Sequence, residues 1–439
     1  MNDDKTINIG LLGLGVVGSG VMRIVREKAR VLAMETGRDL RVKKILVRDT
    51  AKAREISVEP ALLTTDPAEI LEDPSIHIVI ELIGGVEPAY TYAKRAIQAG
   101  KHLVTGNKDV MANHGPELLR LANQQNVDIY YEASVGGGIP LIGPFRSDLV
   151  ANEIHEIYAI INGTTNYILT RMSREGAALA DMLSEAQSLG FAEADPTKDV
   201  EGIDAAYKLA ILTSLAFRTQ VDPAAIYREG IMQLEPADFR YAEDLGYVIK
   251  LLALARQDNG RYEAAVHPAL IPQAAPLASV EGVYNAVYVV GDLVGNVMFY
   301  GRGAGSEPTA SAIVADAIDV AHNIISGVTN RIPYAIDATK SLKPIDEIET
   351  RFYFRLWVAD QPGVLAKIAA ICGEHRISIA SVIQKEADPV NQTAELVFTT
   401  HDAYERAMQA AVQDIAALEV VKRVAGFLRI VDLGEPVRT

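Results

Sequence analysis

Short apolar runs alternate with amphipathic stretches along the first 130 residues. Thr6-Ile-Asn-Ile-Gly-Leu-Leu12 reads as a buried strand, and a helix follows from Val16 to about Ala33. Further strands are expected over 41–47, 76–83, 102–105 and 129–132, with helices over 90–99 and 117–123. Strands alternating with helices predict a parallel, doubly wound sheet of the α/β class. Ligands of such sheets bind beyond the carboxyl ends of the strands.

The pattern then changes. Strand-like runs over 156–162, 285–290 and 296–301 predict a second, mixed sheet, and Gly163-Thr-Thr-Asn-Tyr leads into a helix through Met172. A glycine loop, Gly301-Arg-Gly-Ala-Gly305, precedes a helix over 308–326. Residues 341–350 read as a polar linker. The last ninety residues give strand, helix, strand, strand, helix, strand, the order of the ferredoxin-like split unit. Three domains are expected. They are a Rossmann domain over 1–133, an α+β domain over 134–340 whose helix 308–326 returns to pack on the first domain, and a small α+β module over 350–432.

Composition narrows the class. A chain of 439 residues with 49% hydrophobic and 23% charged residues is that of a globular protein. Its net charge of −15 argues against nucleic acid and anionic membrane as partners. The single cysteine, Cys372, excludes an intrachain disulfide and a cysteine-built zinc site. The N-terminus is polar and carries no signal-peptide core, and no run reaches a membrane span, so cytoplasm is the expected compartment.

Candidate chemistry begins at Gly13-Leu-Gly15-Val16-Val17-Gly18. This GxGxxG lies between a strand and a helix, the context that aims backbone N–H groups at a dinucleotide pyrophosphate. The second strand ends in Arg48-Asp49. Arginine there suits the 2′-phosphate of NADP, and aspartate the ribose hydroxyls of NAD. Lys108 follows the strand 102–105 in what reads as a loop, beside the expected nicotinamide position. The stretch Glu132-Ala-Ser-Val135-Gly-Gly137-Gly-Ile139-Pro implies close backbone approach, and its carbonyls suit a hard cation.

The densest polar segment runs from Ala186 to Lys208 through Gly190, Glu193, Asp195-Pro196, Asp199, Gly202 and Asp204, then continues as an apolar helix. Asp204 and Lys208, four residues apart, share a helix face. An ordinary salt bridge and a functional pair both satisfy that spacing.

Together these motifs resemble homoserine dehydrogenase, and the resemblance covers nearly the whole chain. The segment 186–208 matches the family signature at every defined position. Arg351 to Ile430, with Asp360-Gln-Pro-Gly-Val-Leu365, resembles an ACT domain, an amino-acid-sensing module. The resemblance implies reversible NAD(P)H-dependent reduction of L-aspartate 4-semialdehyde to L-homoserine, in threonine, methionine and isoleucine biosynthesis. It implies Lys208 and Lys108 as catalytic, and Glu193, Asp204 and Asp199 as substrate-binding. It implies Gly13, Gly15, Val16, Val17, Gly18, Arg48, Lys108, Gly190 and Gly305 as cofactor-binding, with NADP favoured and NAD open. Glu132, Val135, Gly137 and Ile139 match a site for sodium or potassium. L-threonine is the implied inhibitor, bound where ACT domains pair, and a homodimer or homotetramer is expected. No kinase-sized segment precedes the nucleotide motif, so an aspartate kinase fusion is not expected. The alternatives are another amino-acid dehydrogenase on this scaffold, or a sensor that has lost catalysis.

Overall fold

Strands buried on both faces are apolar throughout, and the N-terminal strands follow that rule. Ile9, Leu11, Leu12, Ile78, Ile80 and Val104 are all fully enclosed. The computed structural model describes residues 6–54, 56–258, 260–329, 336–337, 339–388 and 390–433. The acidic N-terminal pentapeptide, where no leader was expected, lies outside the described residues.

Six parallel strands form the first sheet, in the order Leu63–Thr64, Asp39–Leu46, Thr6–Leu12, Ile78–Glu81, His102–Thr105, Ile129–Tyr130. This is the doubly wound order in which the sheet reverses beside its first strand. The helix expected over 16–33 is two helices, Val16–Glu27 and Ala29–Thr36, broken at Lys28. The 21-residue helix Ser306–Ser326 lies against Val16–Glu27. Its buried Ala310, Ile313, Val314, Ala317, Val320 and Ala321 form one stripe. Gly20 permits the approach, because a Cβ there would stand 2.9 Å from that of Ala310.

The chain divides into two compact units. One comprises 1–153, 207–225 and 299–338, and the other 154–206, 226–298 and 339–439. The sheet just described belongs to the first unit. In the second, strands run in the order Tyr284–Gly291, Ile154–Ile160, Tyr247–Asp258, Arg261–Pro272, Val421–Ile430, Glu349–Ala359, Thr393–Thr400, Ile379–Asp388. Two findings here were not foreseen. A twelve-residue antiparallel pair, Tyr247–Asp258 with Arg261–Pro272, forms the middle of this sheet. Its continuous burial removes the polar alternation that would have marked the strands.

The second finding concerns the C-terminal module. Its βαββαβ order is as read, with Phe352, Phe354, Ile368, Cys372, Phe398 and Met408 in its core. It is not a bead on a linker. Its last strand pairs in parallel with Arg261–Pro272 at Ala269↔Arg429 and Leu270↔Ile430, so one sheet runs through both modules. The expected linker is also knitted in, since Ser341–Leu342 pairs with Arg261 and Tyr262.

Buried ion pairs fix this junction. Arg355, 1% exposed, donates to Asp238 (2.9 Å), Glu235 (2.8 Å) and Glu395. Arg429 donates to both oxygens of Glu405 (2.6 and 2.8 Å) and both of Glu229 (3.0 Å each). Removing one partner of a buried pair leaves an uncompensated charge, at about 3–5 kcal/mol. Arg355→Leu is therefore expected to lose about 3–5 kcal/mol of unfolding free energy, read from the urea midpoint. A loss near that of a surface substitution would refute this role.

Candidate active site

The nucleotide loop is held by contacts that only glycine permits. Gly13 has φ +105, and a Cβ on it would lie 2.8 Å from the Leu82 carbonyl oxygen. A Cβ on Gly18 would lie 2.3 Å from the Gly13 oxygen. At Gly15 a Cβ would meet nothing within 4 Å, so the space over the turn is open. Gly15 caps the helix Val16–Glu27, whose first N–H groups, on Val16, Val17 and Gly18, have no carbonyl one turn back. The helix Ser306–Ser326 starts beside it. Ser306 Oγ donates to the Val16 carbonyl (2.9 Å), and Gly305, at φ +126, is the cap. Two helix N-termini thus converge on the open turn, a setting that favours phosphate. These residues fit a dinucleotide.

At the end of the second strand, Arg48 is exposed while Asp49 is engaged. One Asp49 carboxylate oxygen accepts from the Ala51 N–H (2.8 Å), and its carbonyl accepts from Arg54. The carboxylate that would grip ribose hydroxyls is turned into its own loop.

Lys108 corrects the sequence reading. It is the first residue of an 18-residue helix, Lys108–Gln125, and not part of a loop. Asn107 caps that helix, accepting from the Val110 N–H (3.1 Å) and donating to the Gly85 carbonyl (2.8 Å). Behind it, fully buried Glu81 accepts from Thr105 Oγ1 (2.8 Å) and the Ile83 N–H (2.7 Å), and burial pushes its carboxyl above the ordinary range. A cation at a helix N-terminus opposes the helix dipole by about 0.3–1 kcal/mol. Helix stability therefore does not explain Lys108. Glu81 and Asn107, its supports, were missed in the sequence because each is ordinary in isolation.

The second unit holds the signature carboxylates. Asn162 caps the helix Gly163–Glu175, accepting from the Thr165 N–H (2.9 Å). Its amide nitrogen donates to Asp199 Oδ1 (2.7 Å) and to Asp204 Oδ2 (3.0 Å). The structure therefore brings Asp199 and Asp204 together through a residue that the sequence had marked only as one of several polar groups. Gly190 (φ +74) and Gly202 (φ +73) take the left-handed turns that bracket the segment. Just before the short helix Thr197–Val200, Asp195 accepts from the N–H and hydroxyl of Thr197, which lowers its pKa. Glu193 lies on the exposed loop, where Gln187 holds its carbonyl (3.1 Å). Asp204 and Lys208 fall one turn apart on the single helix Ile203–Ala216.

The glycine turn is built by packing. A Cβ on Gly137 would lie 2.6 Å from the Gly303 oxygen, and one on Gly138 2.6 Å from Pro308. Glu132 is not a free ligand, since its carboxylate accepts the N–H groups of Leu141, Ile142 and Gly143 (2.5, 2.8 and 2.7 Å). What the turn can offer an ion is neutral carbonyl oxygen, and such a donor set suits a monovalent cation better than a divalent one. Among the described residues no group of three histidine, cysteine or acidic side chains could hold a metal. None of their helices is long and apolar enough to cross a membrane.

A glycine turn of this form on a doubly wound sheet, with a lysine-headed helix beyond a strand end, is that of a nicotinamide-dependent oxidoreductase. Family models agree. Residues 13–132 match the homoserine dehydrogenase NAD-binding domain, 140–318 homoserine dehydrogenase and 352–420 the ACT domain. A homoserine dehydrogenase of Neisseria gonorrhoeae is 43% identical, over 98% of this chain and 99% of that one. One from Synechocystis is 45% identical, over 97% and 99%. The crystal structure of a homoserine dehydrogenase from Thiobacillus denitrificans superposes with a TM-score of 0.92 at 44% identity, over 98% and 99%. The chain belongs to the homoserine dehydrogenase family.

Two Asn162 variants separate clamp from cap. Asn162→Ser keeps a capping oxygen but cannot reach both carboxylates, whereas Asn162→Ala loses both functions, at about 1 kcal/mol for the cap. Both are expected to raise the amino-acid substrate KM at least tenfold with the cofactor KM unchanged, and only Asn162→Ala to lower Tm. Steady-state kinetics with differential scanning fluorimetry checks this.

Proposed function

We propose that this chain catalyses the reversible, NADPH-dependent reduction of L-aspartate 4-semialdehyde to L-homoserine. The observation that carries this reading is the Asn162 clamp on Asp199 and Asp204, one turn before Lys208. The substrate carries an ammonium group, and carboxylates fixed in place hold such a group by charge-assisted hydrogen bonds. Asp204, Asp199 and Glu193 take this role. Asn162 holds both aspartates through one amide nitrogen.

When bound, the nicotinamide cofactor would supply a hydride to the aldehyde carbon. As the carbonyl electron pair moves to oxygen, Lys208 gives its proton to the forming alkoxide, and the reverse reaction returns it. Positioned proton transfer contributes about 10²–10⁴-fold. Lys108 places a second positive charge where the alkoxide develops, stabilising it electrostatically. The phosphates take the N–H groups of Val16, Val17 and Gly18 with Gly13 and Gly15 in the turn, and Gly305 and Gly190 complete the cofactor set. Arg48 takes the 2′-phosphate. Carbonyls of Glu132, Val135, Gly137 and Ile139 would hold sodium or potassium, which would stiffen the glycine turn. L-threonine, acting through the ACT module, inhibits the enzyme, and the chain works as a homodimer or homotetramer.

Lys208→Ala is expected to lower kcat at least a hundredfold with the cofactor KM nearly unchanged. Lys208→Arg is not expected to restore it, because a guanidinium does not release its proton near neutral pH. Homoserine oxidation followed at 340 nm decides this, and retained turnover in Lys208→Ala would remove Lys208 from the mechanism. Arg48→Glu is expected to cut kcat/KM for NADPH while sparing NADH, shifting the ratio at least tenfold. An unchanged ratio would assign the 2′-phosphate elsewhere.

A further inference from the structure

Glu81 is the last residue of the strand Ile78–Glu81, and its side chain is fully enclosed. Its backbone pairs in register with Leu12 on one side and Thr105 on the other. Leu12 runs directly into the Gly13 turn, and Thr105 runs through Gly106 and Asn107 to Lys108. Neighbouring strands stand about 4.8 Å apart, so Glu81 lies one strand spacing from the root of each loop. The chain after it closes on the first of them, since a Cβ on Gly13 would meet the Leu82 oxygen at 2.8 Å and the Ile83 nitrogen at 3.4 Å. The ligand crevice of such a sheet opens above these strand ends.

Every group aimed at the Glu81 carboxylate donates. One oxygen accepts the Ile83 N–H (2.7 Å) and the Asn107 amide (3.5 Å), and the other accepts the Thr105 hydroxyl (2.8 Å). Thr105 Oγ1 in turn accepts the Asn107 N–H (3.0 Å), which leaves its own proton for Glu81. The Asn107 side chain is fixed the same way round, because its oxygen takes the Val110 N–H (3.1 Å). Such a ring of donors suits the ionised form. Burial raises the carboxyl pKa, and these hydrogen bonds pull against it.

None of those donors carries a charge. Glu395 and Glu405, both 1% exposed, each meet an arginine, whereas among the described residues no cationic side chain pairs with Glu81. A buried charge held without a counter-ion costs stability, and such groups gather where chemistry uses them. The nicotinamide ring is neutral when reduced and carries one positive charge when oxidised, a charge it gains as the hydride leaves. A fixed negative charge at the root of the crevice favours the oxidised ring. It acts through protein of low dielectric, where charge is felt beyond contact distance. In the proposed reaction lysine charge meets the negative charge that develops on oxygen, and Glu81 answers the positive charge left on the ring.

We propose that Glu81 is an electrostatic positioning residue for the cofactor, whose buried carboxylate favours oxidised over reduced nicotinamide. The inference rests on the chain holding a nicotinamide dinucleotide, and not on which aldehyde it reduces.

The test is cofactor binding to the full-length enzyme, with NADP+ and NADPH titrated separately in calorimetry. Glu81→Gln removes the charge and keeps the shape. Glu81→Asp and Glu81→Asn form a second pair, alike in size and different in charge, should Glu81→Gln fold poorly. In each pair the neutral side chain is expected to raise the ratio of the NADP+ Kd to the NADPH Kd at least fivefold over the charged one. A merely structural role would weaken both forms together and leave the ratio in place. A smaller change in every pair that folds overturns the proposal, as does a shift toward NADP+. Wild-type enzyme that binds the dinucleotide but does not oxidise homoserine sinks the substrate reading alone, and the two titrations then still decide the role of Glu81.

Discussion

One amide group organises the segment that carries Asp199 and Asp204. Asn162 spends its carbonyl on capping the helix Gly163–Glu175 and its nitrogen on Asp199 and Asp204. Two carboxylates placed side by side repel each other, and a shared donor holds them together. The amide supplies that donor without supplying a charge. The clamp thus fixes geometry without adding a charge of its own. The rest of the signature follows from it. Gly190 and Gly202 turn the chain, and Asp195 holds Thr197 at the start of the short helix that carries Asp199.

The junction with the ACT module uses the opposite solution. There the carboxylates are met by Arg355 and Arg429, both about 1% exposed. Buried ion pairs roughly break even against apolar replacements, so they do not explain why the module folds. Its aromatic core does, at about 1.5–3 kcal/mol per buried side chain. Phe354 and Phe398, stacked at 4.7 Å, are at its centre. What the arginines contribute is register. Each guanidinium fork satisfies carboxylates from both modules, and a slip by one residue would strand them.

Much of the first unit was legible because its strands obey a simple rule. Apolar runs bounded by Gly13-Leu-Gly15 and Thr105-Gly-Asn-Lys108 could only be buried parallel strands feeding ligand loops. Boundaries were less secure. Lys108 read as a loop residue because its helix carries Pro116 inside, and proline there masks a helix in sequence. The hairpin of Tyr247–Asp258 and Arg261–Pro272 went unread because burial on both faces erases alternation. The Asn162 clamp was hidden for a different reason. Its partners lie 37 and 42 residues away, and nothing local links them.

The same long-range character bears on how the C-terminal module can influence catalysis. In sequence, a polar stretch over 341–350 looks like a tether, and a tethered module could act only by moving as a body. In the structure the module shares hydrogen bonds with the strand Arg261–Pro272, next to Val266, which packs on Gly202. The Glu229 N–H donates to the Val266 carbonyl, and Arg429 grips the Glu229 carboxylate. An ion pair, a hydrogen bond and a packing contact therefore link the ACT module's last strand to the turn beside Asp204. A module wired in this way needs no large rotation to be felt. A displacement of Arg429 would reach that turn through these contacts.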